Sequence, residues 1–115
     1  MILIMAWQII YFETNSGRKP VYEVVARLQP AAKAKYLEAI ELLSVLGPHL
    51  VLPWSRKLNR EIYELRIRGR EELRVLYCFL DHKIYLLHAF RKQKQKLPQQ
   101  ELAIAHQRLK RLDHQ

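Results

Sequence analysis

Two runs of alternating side chains place the tightest restriction on how this chain can fold. Residues 62–68 read IYELRIR and residues 73–80 read LRVLYCFL. Tyr63, Leu65 and Ile67 alternate with Ile62, Glu64, Arg66 and Arg68, while Leu73, Val75, Tyr77 and Phe79 alternate with Arg74, Leu76, Cys78 and Leu80. Period-two alternation marks antiparallel strands with one buried face. Only Gly69-Arg70-Glu71-Glu72 separate the two runs, so they form a hairpin whose register decides which charges meet. A two-residue loop at Gly69-Arg70 opposes Arg66 to Leu73 and mixes the faces. A three-residue loop, Gly69 to Glu71, opposes Arg66 to Arg74 and Leu65 to Val75, with Tyr63, Leu65, Ile67, Leu73, Val75, Tyr77 and Phe79 on one side. The second register is preferred, because a slip of one residue turns each side chain to the wrong face. Two arginines directly opposite one another repel unless an anion lies between them, and such a local conflict is expected at a functional site.

The rest of the chain supplies layers for this hairpin. A third strand, Lys83 to Phe90, follows a turn at Asp81-His82. A two-residue turn places His88 opposite Val75 on the apolar face, and a three-residue turn places it opposite Leu76 on the arginine face; both registers stay open. After the strand comes RKQKQK, with Arg91, Lys92, Lys94 and Lys96, then Leu97-Pro98 and a final helix whose Leu102, Ala105, Leu109 and Leu112 form one seam. Upstream, Ala6 to Glu13 is rich in strand-forming aromatic and branched residues, and Asn15, Ser16 and Gly17 end it. Pro20 starts a short helix with Val21, Val24, Val25 and Leu28 on one stripe. Gln29-Pro30 breaks it and starts a second, with Tyr36, Leu37, Ile40, Leu43 and Leu46 as its apolar face and Gly47-Pro48 as its stop. These two helices are expected to pack antiparallel over the sheet. Leu50 to Arg60, with Pro53, Trp54 and Asn59, reads as an irregular connection.

At 115 residues the expectation is a single domain, 1–115, of the α+β class. The net charge of +9 is concentrated in the second half. Residues 1–55 carry five Lys/Arg against four Glu, a balance of 5 − 4 = +1, and the remainder carries 15 against seven, a balance of +8. A concentrated positive potential favours phosphate-rich partners, nucleic acid first and anionic membrane second. The single cysteine, Cys78, lies in an apolar strand and suits a reducing cytosol. MILIMAW has no charged n-region and is too short to span a bilayer, so a cytoplasmic location is expected, with Met5 an alternative start. There is no glycine-rich phosphate loop, GxSxG, HExxH or CxxC. The histidines His49, His82, His88, His106 and His114 lack metal-ligand spacing, so no metal or organic cofactor is expected.

What remains is a set of cations on a strand scaffold: Lys57, Arg66, Arg74, Arg91, Lys92, Lys94 and Lys96, interleaved with Tyr63, Tyr77, His88 and Phe90. Arginine grips phosphate bidentately and aromatic rings stack on bases, a combination suited to RNA. The same cations can stabilise a developing pentacoordinate phosphate. A histidine's ordinary pKa suits general acid/base work, which makes His88 a candidate, although a strand histidine is also commonly a satisfied core residue. Tyr77 and Phe90 read as packing residues before they read as stacking platforms.

The phrases YELRI at Tyr63–Ile67, LRVLY at Leu73–Tyr77, LLHAFRK at Leu86–Lys92 and Lys96-Leu97-Pro98 before ELAIAHQR carry a resemblance. With Tyr11–Gly17, they make the chain similar to the RelE superfamily of toxins, and within it to the phage-derived HigB-like branch. The resemblance implies a RelE-like α+β fold: an N-terminal strand, a two-helix hairpin, an antiparallel sheet and a C-terminal helix. It implies the toxin of a type II toxin–antitoxin system, an endoribonuclease that cuts messenger RNA at the ribosome without metal and inhibits translation. A cognate antitoxin, expected to be a helix-turn-helix protein, would silence it. By position, Arg66, Arg74 and Lys92 match the family's phosphate-contacting cations, with His88 a fourth catalytic candidate, and Lys57, Arg91, Lys94, Lys96 and Phe90 are candidates for RNA contact. Departures from the pattern are Ala89, Gln93 and Leu97, and the absence of a counterpart to a C-terminal tyrosine used by some relatives. Two alternatives stand beside this reading: a DNA gyrase inhibitor like the ParE branch, and a non-catalytic nucleic-acid-binding module.

Overall fold

The alternating runs become β3 (Tyr63–Ile67) and β4 (Leu73–Leu80), antiparallel and in the register that opposes Arg66 to Arg74 and Leu65 to Val75. The computed structural model describes residues 6–93 and 98–113. Met5, Lys94, Lys96, Leu97 and His114 therefore lie outside the described residues. Around the hairpin are β1 (Gln8–Tyr11), α1 (Pro20–Ala26), α2 (Pro30–Leu46), a 3-10 turn (Gly47–His49), β2 (Ser55–Lys57), β5 (Lys83–Arg91) and α3 (Gln99–Asp113). The strands make one five-stranded sheet in the order β1-β5-β4-β3-β2. This is the expected α+β, RelE-like arrangement with two refinements. β1 lies parallel to β5, Gln8 opposite Lys83 and Tyr11 opposite Leu86, so the sheet is mixed. The segment read as an irregular connection contains β2, antiparallel to β3, with Arg56 opposite Glu64.

Each face of the sheet has its own core. On one, α1 and α2 bury Val21, Val25, Tyr36 and Leu43 against Leu65, Val75, Tyr77 and Leu86. On the other, Ala105 and Leu109 of α3 close over Ile62, Leu76, Cys78 and Leu87, with Leu102 and Leu112 packed at the margin, so the expected seam forms. Burial pushes the Cys78 thiol up to about 12, which keeps it protonated and unreactive. Along β4 the apolar residues of this second face give way to Arg74. α3 thus covers one end of the face, and the other end carries Arg56, Glu64, Arg66 and Arg74.

Both helices start at proline, as expected, and Tyr36, Ile40 and Leu43 face the core as expected, but the stripe of α2 differs at its other positions. Tyr36, Ala39 and Leu43 are buried, with Ala32 and Ile40 packed beside them, while Leu37 and Leu46 are exposed. The alanines let the helix approach the sheet closely, and they carry little weight in a hydrophobic pattern. Gly47 ends the helix at φ +51, where an added Cβ would collide with the Trp7 indole. Two hydroxyl pairs satisfy buried tyrosines: Tyr11 with Tyr36 at 2.7 Å, and Tyr77 with Ser55 at 2.5 Å.

The third strand resolves its open register by using both alternatives. Asp81 and His82 adopt positive φ and form a two-residue turn, so Leu80 opposes Lys83 and Tyr77 opposes Leu86. An irregularity between Leu76 and Tyr77 then shifts the pairing by one residue, and His88 opposes Leu76. The extra residue, Leu87, joins the core under α3. Because Leu43 is buried and Leu37 exposed, Leu43→Ala should lower the unfolding free energy by about 2–5 kcal/mol and Leu37→Ala by about 0.5 kcal/mol or less, read by urea denaturation.

Candidate active site

Alternation in three neighbouring strands sets Arg56 opposite Glu64, and Arg66 opposite Arg74, on the face that α3 leaves open. Glu64 is wholly buried, at 0 % exposure. Its Oε1 lies 3.3 Å from Arg56 Nη2 and 3.9 Å from Arg66 Nε, and its Oε2 lies 3.9 Å from Arg74 Nε. The anion needed between the two opposed arginines is therefore a side chain of the protein itself. The match is incomplete. Both carboxylate oxygens of Glu64 and the Nε groups of Arg66 and Arg74 are buried without a hydrogen-bond partner, an arrangement that leaves the guanidiniums attracted to Glu64 but with bonding capacity to spare.

Arg74 is only 2 % exposed, so it is no solvated sheet-face residue. Its Nη1 donates to the Leu73 carbonyl and its Nη2 to the Glu72 carboxylate, each at 3.0 Å. Glu72 sits at φ +28, a conformation that is strained for a residue with a side chain. Burial pushes its carboxyl up, but the hydrogen bonds from Arg74 and the Gly69 amide, and the charges of Arg74 and Arg68, prevail and hold it below the usual range. The Glu72 carbonyl also accepts from the Lys92 amide at 2.8 Å, which ties the end of β5 to this loop. Lys92 is thereby brought to the same place. Partial burial lowers its ammonium pKa, the charges of Arg74, Arg56 and Arg66 lower it further, and Glu64 opposes them.

These groups line an open depression of about 460 Å³, formed by Arg56, Arg66, Arg68, Glu72, Arg74, Lys92 and Gln93. Five cations stand against Glu72 on the wall and Glu64 beneath, a balance of 5 − 2 = +3. Of the residues singled out in the sequence, Arg66, Arg74 and Lys92 meet here. Lys57 is elsewhere: it opposes Tyr63, with its ammonium 5.6 Å from the centre of that ring, on the face that packs against α2. Arg91 opposes Leu73 and pairs with Glu71. Phe90 opposes Arg74 and stacks on His88 with ring centres 5.7 Å apart. Lys94 and Lys96 are outside the described residues. Arg56 and Glu64 had not been singled out at all. Arg56 lies in a strand too short to show a period, and Glu64 reads as one more solvated charge unless its place between two arginines is noticed.

His88 is on the same face but is engaged by α3. Its Nε2 lies 3.1 and 3.2 Å from the Glu101 carboxylate oxygens, and Arg108 Nη1 lies 3.3 Å from its Nδ1. Arginine can only donate, so Nδ1 accepts and the neutral ring carries its proton on Nε2, toward Glu101. The same Arg108 nitrogen donates to the Leu87 carbonyl at 2.7 Å. This group fastens the bulged part of β5 to α3. Among the described residues no group of three or more His, Cys, Asp and Glu is placed to hold a metal ion, and no described helix is long and apolar enough to cross a membrane.

The depression lies at the open end of a RelE-like sheet, and the family that the chain matches is of the RelE-related, toxin-like class. The chain belongs to the phage-derived protein Gp49-like family (DUF891), which it matches over residues 23–110. That span includes every residue lining the depression. No curated protein matches the chain.

Two outcomes follow from these environments. Glu64→Ala leaves the buried Arg74 guanidinium, and the partly buried Arg66, without their carboxylate and should lower the unfolding free energy by about 3 kcal/mol, read by urea denaturation. For His88, burial lowers the pKa from its ordinary 6.5, Arg108 adds to this, and Glu101 opposes it. Below about pH 6.5 the unfolded chain binds a proton that the folded chain resists, so stability falls on acidification until the folded-state pKa is passed. His88→Gln should flatten that decline when denaturation midpoints at about pH 7 and about pH 5.5 are compared.

Proposed function

We propose that the protein is the toxin of a type II toxin–antitoxin pair and acts as an endoribonuclease on messenger RNA at the ribosome. The observation that carries this reading is the convergence of Arg56, Arg66, Arg74 and Lys92 around buried Glu64. Fixed cations above a low-dielectric floor suit a reaction in which negative charge accumulates on phosphorus-bound oxygens. In that reaction the 2′-hydroxyl of the substrate attacks the adjacent phosphorus, the O2′–P bond forms and the P–O5′ bond breaks. The hydroxyl proton passes to solvent water in the open depression as attack proceeds, and the departing O5′ takes up a proton. Arg66 and Arg74 hold the non-bridging oxygens, with Glu64 orienting their guanidiniums from below. Lys92, made more acidic by burial and by its cationic neighbours, is suited to protonate the leaving oxygen. His88, turned to Glu101 and Arg108, has a structural part in this scheme.

The reading also supplies a partner. A net charge of +9 suits an antitoxin with acidic surface that covers the cationic depression, and a helix-turn-helix protein in a neighbouring reading frame is its expected form. The discriminating measurement is purified protein on translating ribosomes, with cut sites mapped. Wild type should cleave messenger RNA, and Arg74→Ala should cleave about 100-fold more slowly or worse. In cells induced to make the protein, growth arrest with intact transcripts would overturn the reading, and loss of DNA supercoiling would favour gyrase inhibition.

A further inference from the structure

A second concavity adjoins the arginine depression. It has a volume of about 290 Å³ and lies between α2 and the loop that leads into β2, with Ala39, Pro53, Trp54 and Ile67 as its apolar lining and Lys35, Glu38, Arg66 and Arg68 around it. Arg66 and Arg68 line both concavities. Trp54 is 38 % exposed, a large aromatic surface left open to solvent. Its backbone is nonetheless fixed: the Trp54 amide donates to the Val51 carbonyl at 3.0 Å, and its carbonyl accepts from the Arg66 amide at 2.8 Å. The indole is therefore anchored to the strand that carries a phosphate-site arginine. The other tryptophan, Trp7, is committed to packing, edge-on to Phe79 with ring centres 5.3 Å apart.

We propose that this groove is a nucleobase subsite: a base of single-stranded RNA, next to the phosphate held in the arginine depression, stacks on Trp54. The proposal rests on the reading of that depression as an RNA phosphate site. An apolar floor with an aromatic face and a cationic rim is what a nucleotide requires, since bases stack on aromatic rings while the backbone follows positive charge. The shared arginines make the two sites one path. Glu38 at the rim offers an acceptor to an N–H group on the edge of a stacked base.

The test uses 2′-O-methyl oligonucleotides, which cannot undergo attack by their own 2′-hydroxyl, with a single abasic nucleotide moved along the sequence. Binding is read by fluorescence anisotropy on protein whose fold has been checked by circular dichroism. For the wild type, one abasic position should weaken binding by about 5- to 150-fold. Trp54→Ala should bind that abasic oligonucleotide and its intact parent alike, and Trp54→Phe, which keeps an aromatic ring and guards against a folding defect, should retain part of the difference. Undiminished discrimination by Trp54→Ala, or no abasic position that matters, would overturn the subsite alone. Failure of the folded wild type to bind any of these oligonucleotides would overturn the phosphate-site reading on which it rests.

Discussion

The buried carboxylate of Glu64 is the interaction on which the open end of the sheet depends. Three strands deliver an arginine each to the same few ångströms, and without an internal anion β3 and β4 would bring Arg66 and Arg74 face to face with nothing between them. Burying a carboxylate is costly unless cations accompany it, and burying guanidiniums is costly unless a carboxylate does. Here each justifies the other, and the register of the hairpin is what makes them meet. Glu64 does not neutralise the cluster; Arg56, Arg66, Arg68, Arg74 and Lys92 exceed the two nearby carboxylates. A fixed surplus of positive charge on a rigid floor is a preorganised anion site, which needs little rearrangement when an anion arrives.

The same face shows how one sheet serves two purposes. At one end α3 closes a hydrocarbon core over Ile62, Leu76 and Cys78, and at the other the strands stay open and charged. The boundary is marked by His88, whose contacts with Glu101 and Arg108 hold the helix down beside the depression. The bulge at Leu87 makes this possible, because an unbroken two-residue hairpin would turn His88 toward the core under α2.

The parts of this arrangement that were legible in the sequence are those with a period. Alternation in β3 and β4, combined with the rule that a slip reverses the faces, was enough to oppose Arg66 to Arg74, and the i, i+3, i+4 spacing located α1 and the seam of α3. The parts that escaped have no period to read. β2 is three residues long, so Arg56 was passed over in favour of its neighbour Lys57, which points to the opposite face. A bulge leaves no mark in composition, so the position of His88 stayed open. The stripe of α2 was legible at Tyr36, Ile40 and Leu43, and differed where Ala32 and Ala39 pack in place of Leu37 and Leu46, because alanine brings close packing but little hydrophobicity. Glu64 escaped for a different reason: burial of a charge depends on partners that are assembled only in three dimensions.

The parallel pairing of β1 with β5 carries a consequence for how the molecule is made. Gln8 pairs with Lys83, so β1 waits for a partner 83 − 8 = 75 residues later. The charged hairpin is local by comparison, since Glu64, Arg66, Glu72 and Arg74 lie within 11 residues, 64–74. Local contacts form early and distant ones late, so the cationic floor can take shape while the sheet still lacks an edge. A nascent chain therefore acquires its charge pattern before it acquires its closed form, because the sheet gains its last edge only once β5 is available to β1.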